Sequence, residues 1–251
     1  MIFSFGPRSS LEIFMQPFSN ELGWPVSIFA FSLAIQNLVW GLFQPLMGGL
    51  ADRFGALKVL VVGAVLYSIG ILSLTFSFNP IQIIFSFGII SGIGLSAASL
   101  TIVISAVSKL LPENQRSFAL GTITAAGSLG QLIVTPVAQQ LISSHSWREA
   151  VIMLSVIIFL IPIFALGFTN NKNKKPSIND DQNLPIIFNS FTNKNYLYLL
   201  IGFFVCGFHV AFITSHLPTY LAGLNIAGET AAIAIALIGF FNVFGAFFAG
   251  I

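Results

Sequence analysis

Charged residues are scarce in this chain: Asp, Glu, Lys and Arg make up 7% of its 251 residues, against about 25% in an ordinary soluble domain. Together with 56% hydrophobic residues and a mean hydropathy of +0.92, that shortage excludes a soluble fold. Cys206 is the single cysteine, so no internal disulfide can form. The formal net charge of +2 is small and dispersed and gives no footprint for nucleic acid. The patterns H-E-x-x-H, G-x-S-x-G and C-x-x-C are absent, no loop is built to cradle phosphate, and the acidic residues are dispersed among turns. Neither catalysis nor ATP-driven pumping is expected, and no cofactor or metal site. Met1 to Gln16 lacks the basic start and small-residue cleavage site of a secretory signal, so the membrane segments themselves are expected to direct the chain to the lipid bilayer.

What the chain has is apolar length. Crossing a bilayer takes about 20 apolar residues, and stretches near 26–50, 57–77, 81–108, 117–143, 150–169, 195–222 and 229–251 suffice. A shorter one, Met1 to Pro17, precedes them; it would rise about 25 Å against a hydrocarbon core of about 30 Å, so the first helix is expected to be shortened. Asn20 to Pro25 reads as a polar turn with an interfacial Trp24, and Gly88, Gly92 and Gly94 predict close packing of the fourth helix. Between 170 and 194 the composition changes to Asn171, Lys172, Lys174, Lys175, Pro176, Asp180 and Asp181, the composition of a flexible linker. The expected organisation is a six-helix half at 1–169, a linker at 170–194 and an incomplete second half of two helices at 195–251. The reading is of a chain cut at both ends.

The stretch from Gly48 to Lys58 sits between two apolar runs and carries Asp52, Arg53 and Lys58 with glycines at 48 and 55. It reads as a tight turn whose charges latch helix ends. With that turn in the cytoplasm, Arg53, Lys58, Lys109, Arg116, Lys172, Lys174, Lys175 and Lys194 all lie inside and Arg148 alone outside, as the positive-inside rule demands. The pattern G-x-x-x-D-R-x-G-x-x-K resembles the loop between the second and third helices of the major facilitator superfamily of secondary transporters. Within it, Glu21-Leu22-Gly23-Trp24, Arg116-Ser117-Phe118-Ala119-Leu120-Gly121 with Ala126-Gly127-Ser128-Leu129-Gly130, and Ser146-Trp147-Arg148 look like the monocarboxylate and oxalate-formate branch. The resemblance implies an all-α polytopic major facilitator fold. It implies a carrier of small organic monocarboxylates, by proton symport or anion exchange with alternating access, in a membrane such as the bacterial inner membrane. The alternatives are a fragment inactive alone, a fragment whose missing helices another chain supplies, and a membrane protein that does not transport.

Arg8 is the sharpest functional signal, because an arginine inside a bilayer costs at least about 2.5 kcal/mol unless it pairs or meets water. Its guanidinium can grip a carboxylate bidentately, and Phe5-Gly6-Pro7-Arg8-Ser9 is similar to the segment where monocarboxylate transporters carry an anion-linked basic residue. The plainer alternative is an arginine that snorkels to the surface. Glu12, one turn on, either neutralises Arg8 or titrates with transport. His209 and His216, two turns apart, could face a central cavity and exchange protons, or be satisfied by helix carbonyls. Asn242 and Ala246 stand where similar carriers place an acidic residue and an arginine, a departure that puts the usual proton coupling in question. Asn37, Gly41, Gln44 and Gly48 fall on one polar stripe with Gln36 and Trp40 beside it, and Gln36 and Asn37 serve either as pathway lining or as packing glue. Gly48, Asp52, Arg53, Gly55 and Lys58 are the expected cytoplasmic gating motif.

Overall fold

The computed structural model describes residues 1–108, 111–168 and 192–250. Lys109 and residues 169–191, which hold most of the expected linker with Lys172, Lys174 and Lys175, lie outside them. The described residues form an all-helical bundle. We number its spans α1, built from Ile2–Ser10, a 3-10 turn Leu11–Phe14 and Met15–Leu22; α2, Val26–Phe54; α3, Ala56–Phe76; and α4, Pro80–Ser108. They continue with α5, Glu113–Ser144; α6, Trp147–Ala165; α7, Lys194–Gly223; and α8, Gly228–Ala249. Among the described residues, seven helices, α2 to α8, are long and apolar enough to cross a membrane.

Two turns differ from the sequence expectation. α1 does not stop at Pro17 but runs to Leu22, where Gly23 takes a left-handed conformation (φ 67°) and its N–H bonds back to Ser19. Likewise the 48–58 stretch is mostly helix. Gly48, Gly49, Asp52 and Arg53 belong to the last turns of α2, Lys58 to the first turn of α3, and only Gly55 (φ 92°) is non-helical. Leu50 and Ala51 are good helix formers, so the helix continues until a residue free of a Cβ penalty can reverse it.

Small residues bring the helices together. A Cβ on Gly63 would lie 2.5 Å from that of Ala97, and one on Gly94 would overlap the backbone nitrogen of Tyr67, so α3 and α4 touch backbone to backbone. Gly92 meets Gln36 and Val39 of α2, Gly6 meets Gly130 and Val134 of α5, and Gly121 and Gly239 let α8 lie directly on α5. Within α4, residues Ile84–Ile90 wind as a π-helix. The aromatic core fills the end of the bundle away from Gly55, with Phe18 5.1 Å from Phe29 and 5.2 Å from Trp147, ring centre to ring centre. α7 is the exception. It touches α8 and the far end of α1, and only 6% of its most apolar stretch is buried.

Candidate functional site

The site is built on an irregular first helix. Pro7 has no N–H to give to the carbonyl four residues back, and the Gly6 carbonyl accepts from the hydroxyls of both Ser9 and Ser10 at 2.9 Å. The chain then tightens into the 3-10 turn at Leu11–Phe14. Ser4 donates to the Ala98 carbonyl (2.7 Å), and Ser10 lies 3.1 Å from the Thr135 hydroxyl, tying α1 to α4 and α5. With its rotation fixed from both sides, α1 holds Arg8 inside the bundle.

Arg8 is 8% exposed and Glu12 2%. The guanidinium donates from Nη1 to Glu12 Oε1 and from Nη2 to Asn37 Oδ1, each at 2.7 Å. Its Nε is buried without a partner, and so is Glu12 Oε2. Tyr67 of α3, completely buried with an unpartnered hydroxyl, lies within electrostatic reach of both charges. Beside it, Gln36 donates to Ser91 Oγ (2.5 Å), which donates in turn to the Phe87 carbonyl inside the π-helical turn. Gln36 Oε1 and Trp40 Nε1 are also buried and unpartnered. Five unsatisfied polar atoms in one half-bundle is a concentration that calls for a ligand, water or a second state to complete it.

A cavity of about 360 Å³ lies beyond this cluster, toward the end where α7 and α8 meet α1. Glu12, Gln16 and Asn20 of α1, Gln139 of α5, Thr219 of α7 and Gly228 of α8 are in its wall.

The structure therefore brings Arg8, Glu12 and Asn37 into one cluster, with Gln36 on the same helix as Asn37. It does not gather the others there. His209, His216 and Asn242 are exposed on α7 and α8. His209 donates through Nδ1 to the Val205 carbonyl of its own helix at 2.7 Å, and the His216 ring packs on Phe212 at 4.7 Å. In the expected gating motif, Arg53 stacks over the Phe54 ring at 5.4 Å. Among the described residues no cluster of three His, Cys, Asp or Glu side chains could hold a metal.

Sequence reasoning missed Tyr67 and placed Trp40 only beside the polar stripe of α2. Tyr67 stands in an almost wholly apolar run, where nothing in the sequence marks its hydroxyl as buried beside charges. It also missed a bridge at the far end, where Glu21 accepts from Trp147 Nε1 (2.5 Å) and pairs with Arg148, whose guanidinium lies 4.7 Å from the Trp147 ring centre. The motif pieces around Trp24 and Trp147 were read separately; the fold joins them.

The family profile of the Major Facilitator Superfamily matches residues 1–251. The chain is 24% identical to the uncharacterized MFS-type transporter YcxA of Bacillus subtilis over 97% of its length and 60% of that protein's. It is 23% identical to the hexuronate transporter of Bacillus subtilis, over 96% of its length and 60% of the relative's. To monocarboxylate transporter 13 of Bos taurus it is 24% identical, over 61% of its length and 35% of the relative's. The chain thus spans about 60% of the length of the first two relatives. These relatives are named as transporters, and none as an enzyme.

Proposed function

The chain belongs to the major facilitator superfamily, and from that membership we propose that it is a secondary carrier of small organic monocarboxylates, working by proton symport or anion exchange with alternating access. One observation carries the reading: an arginine more than nine-tenths buried among apolar helices, whose bonds to Glu12 and Asn37 leave its Nε without a partner. A buried cation of this kind is retained for an anion, and a planar fork suits a carboxylate. The monocarboxylate transporter among the relatives supports the substrate class, and the hexuronate transporter supports a carboxylate more broadly.

In this reading Arg8 receives the carboxylate, with Asn37 and Gln36 beside it. Gly48, Asp52, Arg53, Gly55 and Lys58 form the cytoplasmic hinge between α2 and α3, residues 170–194 are a cytoplasmic linker between halves at 1–169 and 195–251, and the membrane is the inner membrane of a bacterium. His209, His216 and Asn242 act only where further helices cover α7 and α8. The exposure of α7 favours a second arrangement, in which a complementary segment, on the same polypeptide or another, completes the second half. Co-expression with such a segment restores uptake if that is so.

The test is uptake of radiolabelled acetate, lactate and pyruvate into proteoliposomes by the unaltered chain, by Arg8→Met and by Arg8→Met with Glu12→Leu, the last leaving no charge stranded. Membrane insertion is read by protease protection. Loss of uptake in both variants with insertion preserved is the expected result; uptake by either removes Arg8 from the mechanism.

A further inference from the structure

Four polar residues follow one another along α1 at a spacing of four: Arg8, Glu12, Gln16 and Asn20. That spacing puts neighbours in the series on one side of a helix. Arg8 and Glu12 pair at 2.7 Å, the Gln16 amide donates to Asn20 Oδ1 at 3.1 Å, and Glu12, Gln16 and Asn20 all stand in the wall of the 360 Å³ cavity. The ion pair and the cavity therefore adjoin through Glu12.

At the ion-pair end, a donor set and an acceptor are both left over. The bonds to Glu12 and Asn37 use two of the five N–H groups of Arg8, so three remain for a carboxylate with neither partner displaced. Glu12 Oε2 is buried and has no donor. An acid without hydroxyls would leave that oxygen unpaired and bring a second carboxylate beside it with nothing between them, which is unfavourable. A hydroxyl near the carboxylate of the ligand supplies the missing donor.

The cavity continues the same chemistry. Apart from Glu12, the polar side chains in its wall are the amides of Gln16, Asn20 and Gln139 and the hydroxyl of Thr219. Gln16 gives one N–H to Asn20 and Gln139 one to Ser143, which leaves each amide further bonding capacity. Amides and hydroxyls both donate and accept, as the hydroxyls of a ligand do. Size points the same way. The 360 Å³ is roughly twelve water volumes at about 30 Å³ each. A three-carbon acid, with about six non-hydrogen atoms, fills at most about half of it, whereas a six-carbon acid carrying a hydroxyl on each further carbon has about a dozen.

We infer that the ligand of this site is a polyhydroxylated monocarboxylate of up to about six carbons. Its carboxylate meets Arg8, a neighbouring hydroxyl donates to Glu12 Oε2, and the remaining hydroxyls lie in the cavity against Gln16, Gln139 and Thr219. The inference rests on the carboxylate reading above and narrows its substrate class. Glu12 and the cavity amides are then the residues that determine specificity, because a site built to pair hydroxyls rejects the analogue that lacks them.

Three six-carbon compounds separate the two features. Gluconate has the carboxylate and the hydroxyls, hexanoate only the carboxylate, and glucitol only the hydroxyls. Binding of radiolabelled gluconate to the purified chain, together with any sequence continuous with it, is competed with each of the three. Gluconate is expected to bind, with hexanoate and glucitol competing at least about tenfold more weakly. Hexanoate competing as well as gluconate overturns the proposal and leaves the carboxylate reading standing. Glucitol competing as well as gluconate overturns the carboxylate reading and this inference with it. Absence of gluconate binding overturns the proposal, and lactate binding in the same preparation then shows that the carboxylate reading survives. Glu12→Gln and Gln139→Met are each expected to narrow the ratio of gluconate to hexanoate affinity several-fold, a change that a merely structural loss would not produce. An unchanged ratio in both variants overturns the proposal.

Discussion

Replacing Arg8 by methionine keeps most of the side-chain volume and removes the charge, which makes its cost a direct reading of the buried pair. Glu12, 2% exposed, would keep an ionised carboxylate with no cation within reach, and Asn37 Oδ1 would lose its donor. Stranding one member of a buried ion pair costs about 3–5 kcal/mol, and the lost amide bond adds about 1 kcal/mol. Glu12→Leu strands the guanidinium instead, at a similar cost. The double variant strands neither charge and should cost only about 1–2 kcal/mol, the orphaned Asn37 with small packing changes. The coupling energy of the cycle is therefore expected to be about 3 kcal/mol or more. It can be read by equilibrium unfolding in mixed micelles of mild detergent and sodium dodecyl sulfate, using tryptophan fluorescence. A coupling below about 0.5 kcal/mol would refute the reasoning, because it would mean that both groups are hydrated in the folded chain.

Other expectations follow from the packing. Gly94→Val should cost about 3 kcal/mol or prevent folding, because its Cβ overlaps the backbone of Tyr67 rather than a side chain that could yield; Gly41→Ala, with nothing within 4 Å, should be neutral or stabilise by up to about 1 kcal/mol, both read by the same unfolding assay. Glu21→Gln weakens the bridge to Trp147 and Arg148, but both charged side chains are 42% exposed, so the loss should be only about 1 kcal/mol and should fade in high salt. Tyr67→Phe removes a hydroxyl that has no partner and should leave stability within about 0.5 kcal/mol; a drop in lactate affinity with stability unchanged would show that the hydroxyl meets the substrate.

Much of the architecture is legible in composition. The apolar runs locate the spans because a bilayer tolerates only helices with their backbone bonds made internally, and the glycines of α4 indicate close approach because nothing else about them is useful in a helix. The Arg8–Glu12 pair is legible from its spacing of four. Its third member, Asn37, shows in the sequence only as part of a polar stripe, and Tyr67 shows not at all. What places these side chains together is the rotation of α1, set by Ser4 and Ser10 and by the Gly6–Gly130 contact, which depends on three helices at once. Helix ends were the weakest reading: Pro17 and Leu50 looked like boundaries by polarity, while the chain obeyed backbone geometry and turned at Gly23 and Gly55.

The single-residue break at Gly55 has a mechanical meaning. Two helices joined by one residue have no slack between them, so they behave as the arms of a lever pivoting on that glycine. α2 has 29 residues and is about 43 Å long; a tilt of about 10° at the pivot sweeps its opposite end through roughly 7 Å. A pivot of that kind turns a small displacement of Arg53, at the short end, into a large one at Val26, at the far end of the same helix.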